Sequence, residues 1–161
     1  LQTKITAEKL KTEVLKYWRF KRQGYNLCGT EVDTISGRAD VMVCDNREII
    51  EIEIKISKSD FMRDFKKKKF SAVCKDDLYS RVYANRLFYC VPAAISESCL
   101  LYLEANKLPF GLFSFDGKLT MLKSGKKLKT LNVVIAENIK RKILLRATSE
   151  LVQLREKGEE H

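Results

Sequence analysis

Isoleucine occupies every second position at 50, 52, 54 and 56, and Glu51, Glu53 and Lys55 fill the positions between. Successive side chains of a strand point to opposite faces. Residues 48–56 are therefore predicted to form a strand with one apolar face and one charged face. A helix opens directly behind it at residues 57–59, and Ser57 with Asp60 resembles a capping box with Asp in place of Glu. Phe61, Phe65, Ala72 and Val73 supply its core stripe.

Upstream, Ile5, Leu10, Val14, Leu15 and Trp18 recur near helical spacing, which predicts a helix over 5–22 with Thr6 as N-cap and Gly24 as its stop. YNLCGTEV at 25–32 and RADVMVC at 38–44 read as strands, with DTISG as the loop between them. Asp45-Asn46-Arg47 is turn chemistry. Downstream, residues 75–84 are irregular. NRLFYCV at 85–91 is nearly continuous in apolar character, a strand buried on both faces that Pro92 stops. Residues 96–106 read as a helix, and 111–122 as a hairpin with Asp116-Gly117 as a two-residue turn. KSGKKLKT at 123–130 is a basic loop. Residues 135–157 form a long helix with Ile139, Ile143, Leu144, Leu151 and Leu154 expected to face the core. The order is αβββαβ, then αββα: one α/β domain over 1–161, a mixed sheet flanked by helices and closed by a long C-terminal helix.

Composition narrows the function classes. Of 161 residues, 32% are charged and 45% hydrophobic, which fits a globular chain. No apolar run approaches the ~20 residues of a membrane span, and the amphipathic N-terminal stretch lacks the apolar segment of a signal peptide. The net charge of +10 favours a polyanionic partner, nucleic acid or an anionic membrane surface, over a merely basic protein. The long helix has no Trp or Phe anchor, which disfavours the membrane. Five cysteines, none in a CxxC pair, fit a reducing cytoplasm and not a zinc cluster. The sole histidine is His161, the last residue, so histidine-dependent nucleophile and zinc schemes are excluded. Any hydrolysis must run on carboxylates, lysine and a metal.

The strands at 38–44 and 48–56 should pair as an antiparallel hairpin, and its parity is decisive. Directly opposed residues share a face. An even-numbered turn centred on Asp45-Asn46 or Asn46-Arg47, or else a bulge, sets Asp40 on the face of Glu51 and Glu53. A three-residue turn sets it in the apolar core opposite Ile52, where an unpaired carboxylate is costly. With the even turn, Asp40 and Glu53 converge on one hard cation, Mg²⁺ or Mn²⁺, with water and a substrate phosphate completing its shell. Lys55 stands beside it, charged, to orient the attacking water and stabilise transition-state charge. The alternative is a cross-strand ion-pair ladder on an exposed face, with Glu31 and Arg38 as surface charges at strand ends.

Asp40 followed by Glu53-Ile54-Lys55 after a hairpin resembles the core motif of the PD-(D/E)xK nuclease superfamily, with Ala39 where that motif has Pro. Glu31, Arg38-Ala39-Asp40, Glu53 to Ser57, Asp60-Phe61, Asp64 and the strand ending at Pro92 together resemble its MmcB-like branch, which is associated with DNA repair. The resemblance covers residues 25–115. It implies a restriction-endonuclease-like αβββαβ core, metal ligands Asp40 and Glu53, Lys55 as the catalytic lysine and Glu31 as a further acidic group near the metal. Ser57, Asp60 and Asp64 would support the strand-to-helix junction.

The leading expectation is a cytoplasmic, metal-dependent DNA endonuclease of repair or processing, with a homodimer or a repair complex as further partners and RNA as the alternative substrate. Lys66, Lys67, Lys68, Lys69, Lys126, Lys127, Lys129 and Arg141 are the candidate phosphate contacts, which position nucleic acid without reading its sequence. For the run at 66–69, a solvated helix surface is the competing reading. The competing function is a catalytically inactive nucleic-acid-binding module on the same fold.

Overall fold

A computed structural model describes residues 5–22, 27–34, 37–66 and 84–159. Helix α1 (Ala7–Lys16) widens into a π turn over Tyr17–Lys21. Then follow β1 (Leu27–Thr34), β2 (Gly37–Cys44), β3 (Ile49–Ile54), α2 (Lys58–Asp64), β4 (Arg86–Pro92), α3 (Ala93–Ala105), β5 (Gly111–Phe115), β6 (Leu119–Lys123) and α4 (Val133–Glu159). The six strands form one mixed sheet in the order β1-β2-β3-β4-β5-β6. The first three are antiparallel, β3-β4-β5 are parallel, and β6 returns antiparallel.

Alternation along the strands makes the two layers. Ile50, Ile52 and Ile54 join Val41, Val43, Phe88, Cys90 and Phe113 beneath Leu10, Val14 and Trp18 of α1. On the other face Leu87, Tyr89 and Leu112 pack with Phe61 of α2 and with Cys99 and Leu103 of α3. Met42, Cys44 and Ile49 lie under Ala136, Ile139 and Ile143 of α4. Burying side chains of this size stabilises by ~1.5–3 kcal/mol each. Thr6 caps α1 by accepting from the Lys9 N–H (3.2 Å), and Ser57 caps α2 by accepting from the Asp60 N–H (3.2 Å). Burial pushes the thiols of Cys28, Cys44 and Cys99 up to about 11 and that of Cys90 to about 12, so they pack as small apolar groups.

Two elements depart from expectation. The β5-β6 turn has three residues, Asp116, Gly117 and Lys118, because Phe115 pairs with Leu119 and Gly117 takes φ +94°. In α4, Ile139 and Ile143 are buried, but Leu144, Leu151 and Leu154 are 54%, 50% and 67% exposed. Leu144 is rotated ~100° around the helix from Ile143. The last anchored turn is at Glu150, which accepts from the Thr30 hydroxyl (2.8 Å), and the helix then runs on with every described side chain exposed.

The basic loop lies where it is expected. It is stitched down: the Lys126 N–H donates to the Pro109 carbonyl (2.8 Å) and the Leu128 N–H to the Asn85 carbonyl (2.7 Å). Arg86 Nη1 and Asn85 Nδ2 donate to the carbonyls of Gly125 (2.5 Å) and Lys129 (3.0 Å). A Cβ at Gly125 would stand 3.2 Å from the Leu87 carbonyl oxygen and from the Phe88 ring, a contact that needs the ring to give by a few tenths of an ångström. Among the described residues no helix is long and apolar enough to cross a membrane.

Candidate active site

The β2-β3 turn decides where Asp40 goes. Asp45 Oδ1 accepts from the N–H groups of Arg47 (2.6 Å) and Glu48 (2.8 Å), and the Asp45 N–H donates to the Glu48 carbonyl (3.2 Å). Cys44 pairs with Ile49, so the connection is even and centred on Asn46-Arg47. The register continues to Val41↔Ile52, and one further rung would set Asp40 against Glu53. The ladder stops before that rung. Asp40 Oδ2 instead accepts the Ile54 N–H (2.8 Å), holding the carboxylate where the strands part.

On its other side, Asp40 meets an irregularity in β1. Thr30↔Val41 and Val32↔Ala39 keep one register, so Glu31 falls at the position facing Asp40. Glu31 has φ +52°. Ala39 and Met42 share the α4 cluster although they are three residues apart, so strict alternation fails here. The slip releases Glu31 and Asp40 from the ordinary in-out pattern. Glu31 pairs with the Lys11 ammonium of α1, which also bonds Glu8 Oε1 (3.0 Å).

The charged face of β3 is not a solvent face. Glu51, Glu53 and Lys55 are 1%, 7% and 5% exposed, which removes the exposed-ladder alternative. Lys55 Nζ lies 2.9 Å from Asp64 Oδ2 and 3.5 Å from Glu53 Oε2. The Lys55 N–H extends the parallel pairing by donating to the Cys90 carbonyl (3.0 Å). Asp64, in the last turn of α2, is fully buried.

Electrostatics follow from this packing. Burial raises the Asp40 carboxyl above its ordinary value; the Ile54 N–H opposes this and the neighbouring Glu53 adds to it. Burial works to lower Lys55, but the bond to Asp64 and the charge of Glu53 outweigh it, so its pKa is raised and the ammonium keeps its proton. Lys11 behaves likewise: burial is overcome by the bonds to Glu31 and Glu8, and Asp40 contributes. Among the described residues no three His, Cys, Asp or Glu side chains converge. Glu53 lies near enough to act on Asp40, and the two form a two-carboxylate set. That suits Mg²⁺, which binds through one or two carboxylates and leaves its other positions to water and phosphate. Burial raises Asp40 and the charge of Glu53 adds to it, and a cation beside the two would favour the charged carboxylates.

The remaining predicted residues are scattered. Lys66 is exposed just past α2, and Lys67, Lys68 and Lys69 lie outside the described residues. Lys126 and Lys127 are exposed on the stitched loop, whereas Lys129 is half-buried and burial lowers its pKa. This loop sits by Asn85 and Arg86, where β4 begins, whereas the carboxylates lie where β3 ends. Arg141 is exposed on α4. Arg38 pairs with Asp33 (2.9 Å) across β1-β2, as a surface charge would.

Lys11 was not foreseen. Its signal was present, since Ala7, Lys11, Val14 and Trp18 share one helical stripe, and a lysine inside such a stripe needs a buried partner.

No family model matches the chain, and no curated protein matches it. A solved structure of a protein of unknown function from Silicibacter pomeroyi is similar over 100% of this chain and 97% of its own, at TM-score 0.70 and 21% identity. That likeness is one of fold.

Proposed function

We propose that the chain is a metal-dependent DNA endonuclease, with Asp40 and Glu53 holding Mg²⁺ or Mn²⁺ and Lys55 as the catalytic cation. The observation that carries this reading is the placing of buried Lys55 3.5 Å from Glu53, with Asp40 held on the Ile54 N–H where β2 and β3 part. A bound divalent cation would supply a nucleophilic water near neutral pH and draw charge from the phosphate. The chain's own groups do the rest. The Ile54 N–H fixes the Asp40 carboxylate. Asp64 fixes the Lys55 ammonium, which donates to the attacking water and to the oxygens that gain charge as the phosphodiester is cleaved. Lys55 is not a general base, because its carboxylate partners hold the proton on it. Exposed Lys66 and Arg141 are the described candidates for backbone phosphate contacts. Repair or nucleic-acid processing is the setting this chemistry would serve.

One observation favours a second reading, a non-catalytic nucleic-acid-binding module. The Lys55 ammonium is closer to Asp64 than to Glu53, as in a purely structural buried pair. The test is cleavage of plasmid, branched and single-stranded DNA, and of RNA. Each is tried with Mg²⁺, with Mn²⁺ and with EDTA, for the wild type, Asp40→Ala, Glu53→Gln and Lys55→Ala, with folding checked by circular dichroism. The nuclease reading expects metal-dependent cutting that Lys55→Ala slows by ~10²–10³-fold, the effect of removing one donor to developing charge. Failure to cut any substrate, with DNA binding indifferent to metal and to the substitutions, leaves the binding module.

A further inference from the structure

Lys11 is 9% exposed and lies beside Leu10 and Val14, which α1 packs on the sheet. Its ammonium pairs with Glu31 of β1 and donates to Glu8 Oε1 (3.0 Å). Glu8 is exposed, so water and salt screen its charge, whereas Glu31 is half-buried. Glu31 is therefore the carboxylate that chiefly offsets Lys11.

The backbone brings this pair to the candidate metal ligands. Glu31 lies between the rungs Thr30↔Val41 and Val32↔Ala39, facing Asp40 on the neighbouring strand. Paired strands stand ~4.8 Å apart. The φ of +52° at Glu31 is one that a non-glycine residue keeps only where the surrounding structure holds it. Lys11 and Asp40 are close enough for each to act on the other's charge. The carboxylates thus have a cation on each face of the sheet: Lys11 from α1, paired with Glu31, and Lys55, paired with Asp64 of α2.

Charge balance gives Lys11 a role. With Glu31 and Asp64 answered by the two lysines, a divalent cation at Asp40 and Glu53 meets two carboxylates with its own two charges, and an anionic phosphodiester can approach. Without Lys11, the Glu31 charge is added to that side. A cation is then held more tightly, and a phosphate is repelled. Glu51, buried further back on β3, is common to both cases.

We propose that Lys11 is a positioning residue of the metal site: by pairing with Glu31 it keeps that carboxylate out of the metal's charge balance, which weakens metal binding and admits the substrate phosphate. This rests on the metal-dependent reading above and adds to it a residue of α1 that sets metal affinity against phosphate affinity.

The test measures Mn²⁺ binding by calorimetry without nucleic acid, and binding of duplex and single-stranded oligonucleotides by fluorescence anisotropy in Ca²⁺. Wild type, Lys11→Met, Glu31→Gln and the double variant are compared, with folding checked by circular dichroism. Lys11→Met should bind Mn²⁺ about tenfold more tightly and the oligonucleotides about tenfold more weakly. A lysine that served only the fold would weaken both when removed, so the opposite signs identify the role. Glu31→Gln should bind Mn²⁺ about tenfold more weakly, and the double variant should return near the wild type. A double variant as weak as Glu31→Gln would make Glu31 a ligand in its own right and overturn the proposal. Should Lys11→Met fail to fold, Mn²⁺ affinity of Glu31→Gln at or above that of the wild type would overturn it. Wild type that binds Mn²⁺, with Lys11→Met binding no tighter, would overturn it while leaving the metal site in place. Absence of Mn²⁺ binding by both would remove the metal-dependent reading and the proposal together.

Discussion

Lys55 Nζ and Asp64 Oδ2 meet at 2.9 Å in the interior, one from the residue after β3 and the other from the last turn of α2. Removing one partner strands the other's charge out of water. Asp64→Ala and Lys55→Met should each destabilise by ~3–5 kcal/mol. The double variant Lys55→Met/Asp64→Leu should recover most of that loss, because an apolar pair replaces both charges. Urea unfolding measures all three, and losses that simply add would refute the pairing. Activity of any Lys55 variant is informative only on protein shown to be folded.

Asp40 makes stability depend on pH in the opposite sense to a salt-bridged aspartate. Burial, reinforced by Glu53, raises its native pKa. The native state therefore binds more protons than the unfolded chain, so this contribution is present below the unfolded value of ~3.9 and is lost as pH rises through the native one. Without metal, Asp40→Asn should melt higher than the wild type at pH 7, with the gain vanishing below about pH 4. Under the proposed function, Mg²⁺ should raise the melting temperature of the wild type and not of the variant. Parallel melting curves across pH would count against the buried-carboxylate account.

Asn85 ties β3, β4 and the stitched loop together. Its Oδ1 accepts from the Ile49 N–H (2.6 Å), its Nδ2 donates to the Lys129 carbonyl, and its backbone bonds Ile49 and Leu128. Asn85→Ala would leave a buried donor and a carbonyl unmet, at ~1–3 kcal/mol each. The expected loss is about 2–4 kcal/mol by urea unfolding. A loss under about 0.5 kcal/mol, the range of ordinary surface changes, would show that water replaces the side chain.

The stitched loop gives a prediction about DNA. Lys126 and Lys127 lie on the loop stitched to Asn85 and Arg86, where β4 begins, whereas Asp40 and Glu53 lie where β3 ends. Lys126→Gln/Lys127→Gln should leave the salt dependence of duplex binding unchanged. Every phosphate that a lysine ceases to neutralise lowers the slope of log affinity against log salt by ~0.9, so a fall of nearly two would place the duplex across the loop instead.

Much of this was legible in the chain. The alternation of Ile and Glu fixed β3 and its two faces. The cost of burying Asp40 among isoleucines narrowed the Asp45 turn to an even one or to a bulge, and the even turn is the one formed. Other features depend on what packs from a distance. No local pattern announces the positive φ of Glu31, which is offset by a lysine twenty residues upstream. The period of α4 marks an apolar side, but where the sheet stops supporting it is set by β1, more than a hundred residues earlier. That the basic loop is stitched down is not legible, because its anchoring bonds are largely made through backbone atoms, which composition does not display.

The strand order of the sheet follows the order of synthesis, so each strand can dock beside its predecessor as it leaves the ribosome. The cover for β1 does not follow that order: α4 packs chiefly on the first strand and is made after all six strands described. During translation Val32, Ala39 and Met42 must wait, uncovered, for Ala136, Ile139 and Ile143 to arrive. A nascent chain halted before α4 should thus present a sticky flank on its first hairpin, the place where a chaperone that reads exposed apolar surface would engage it.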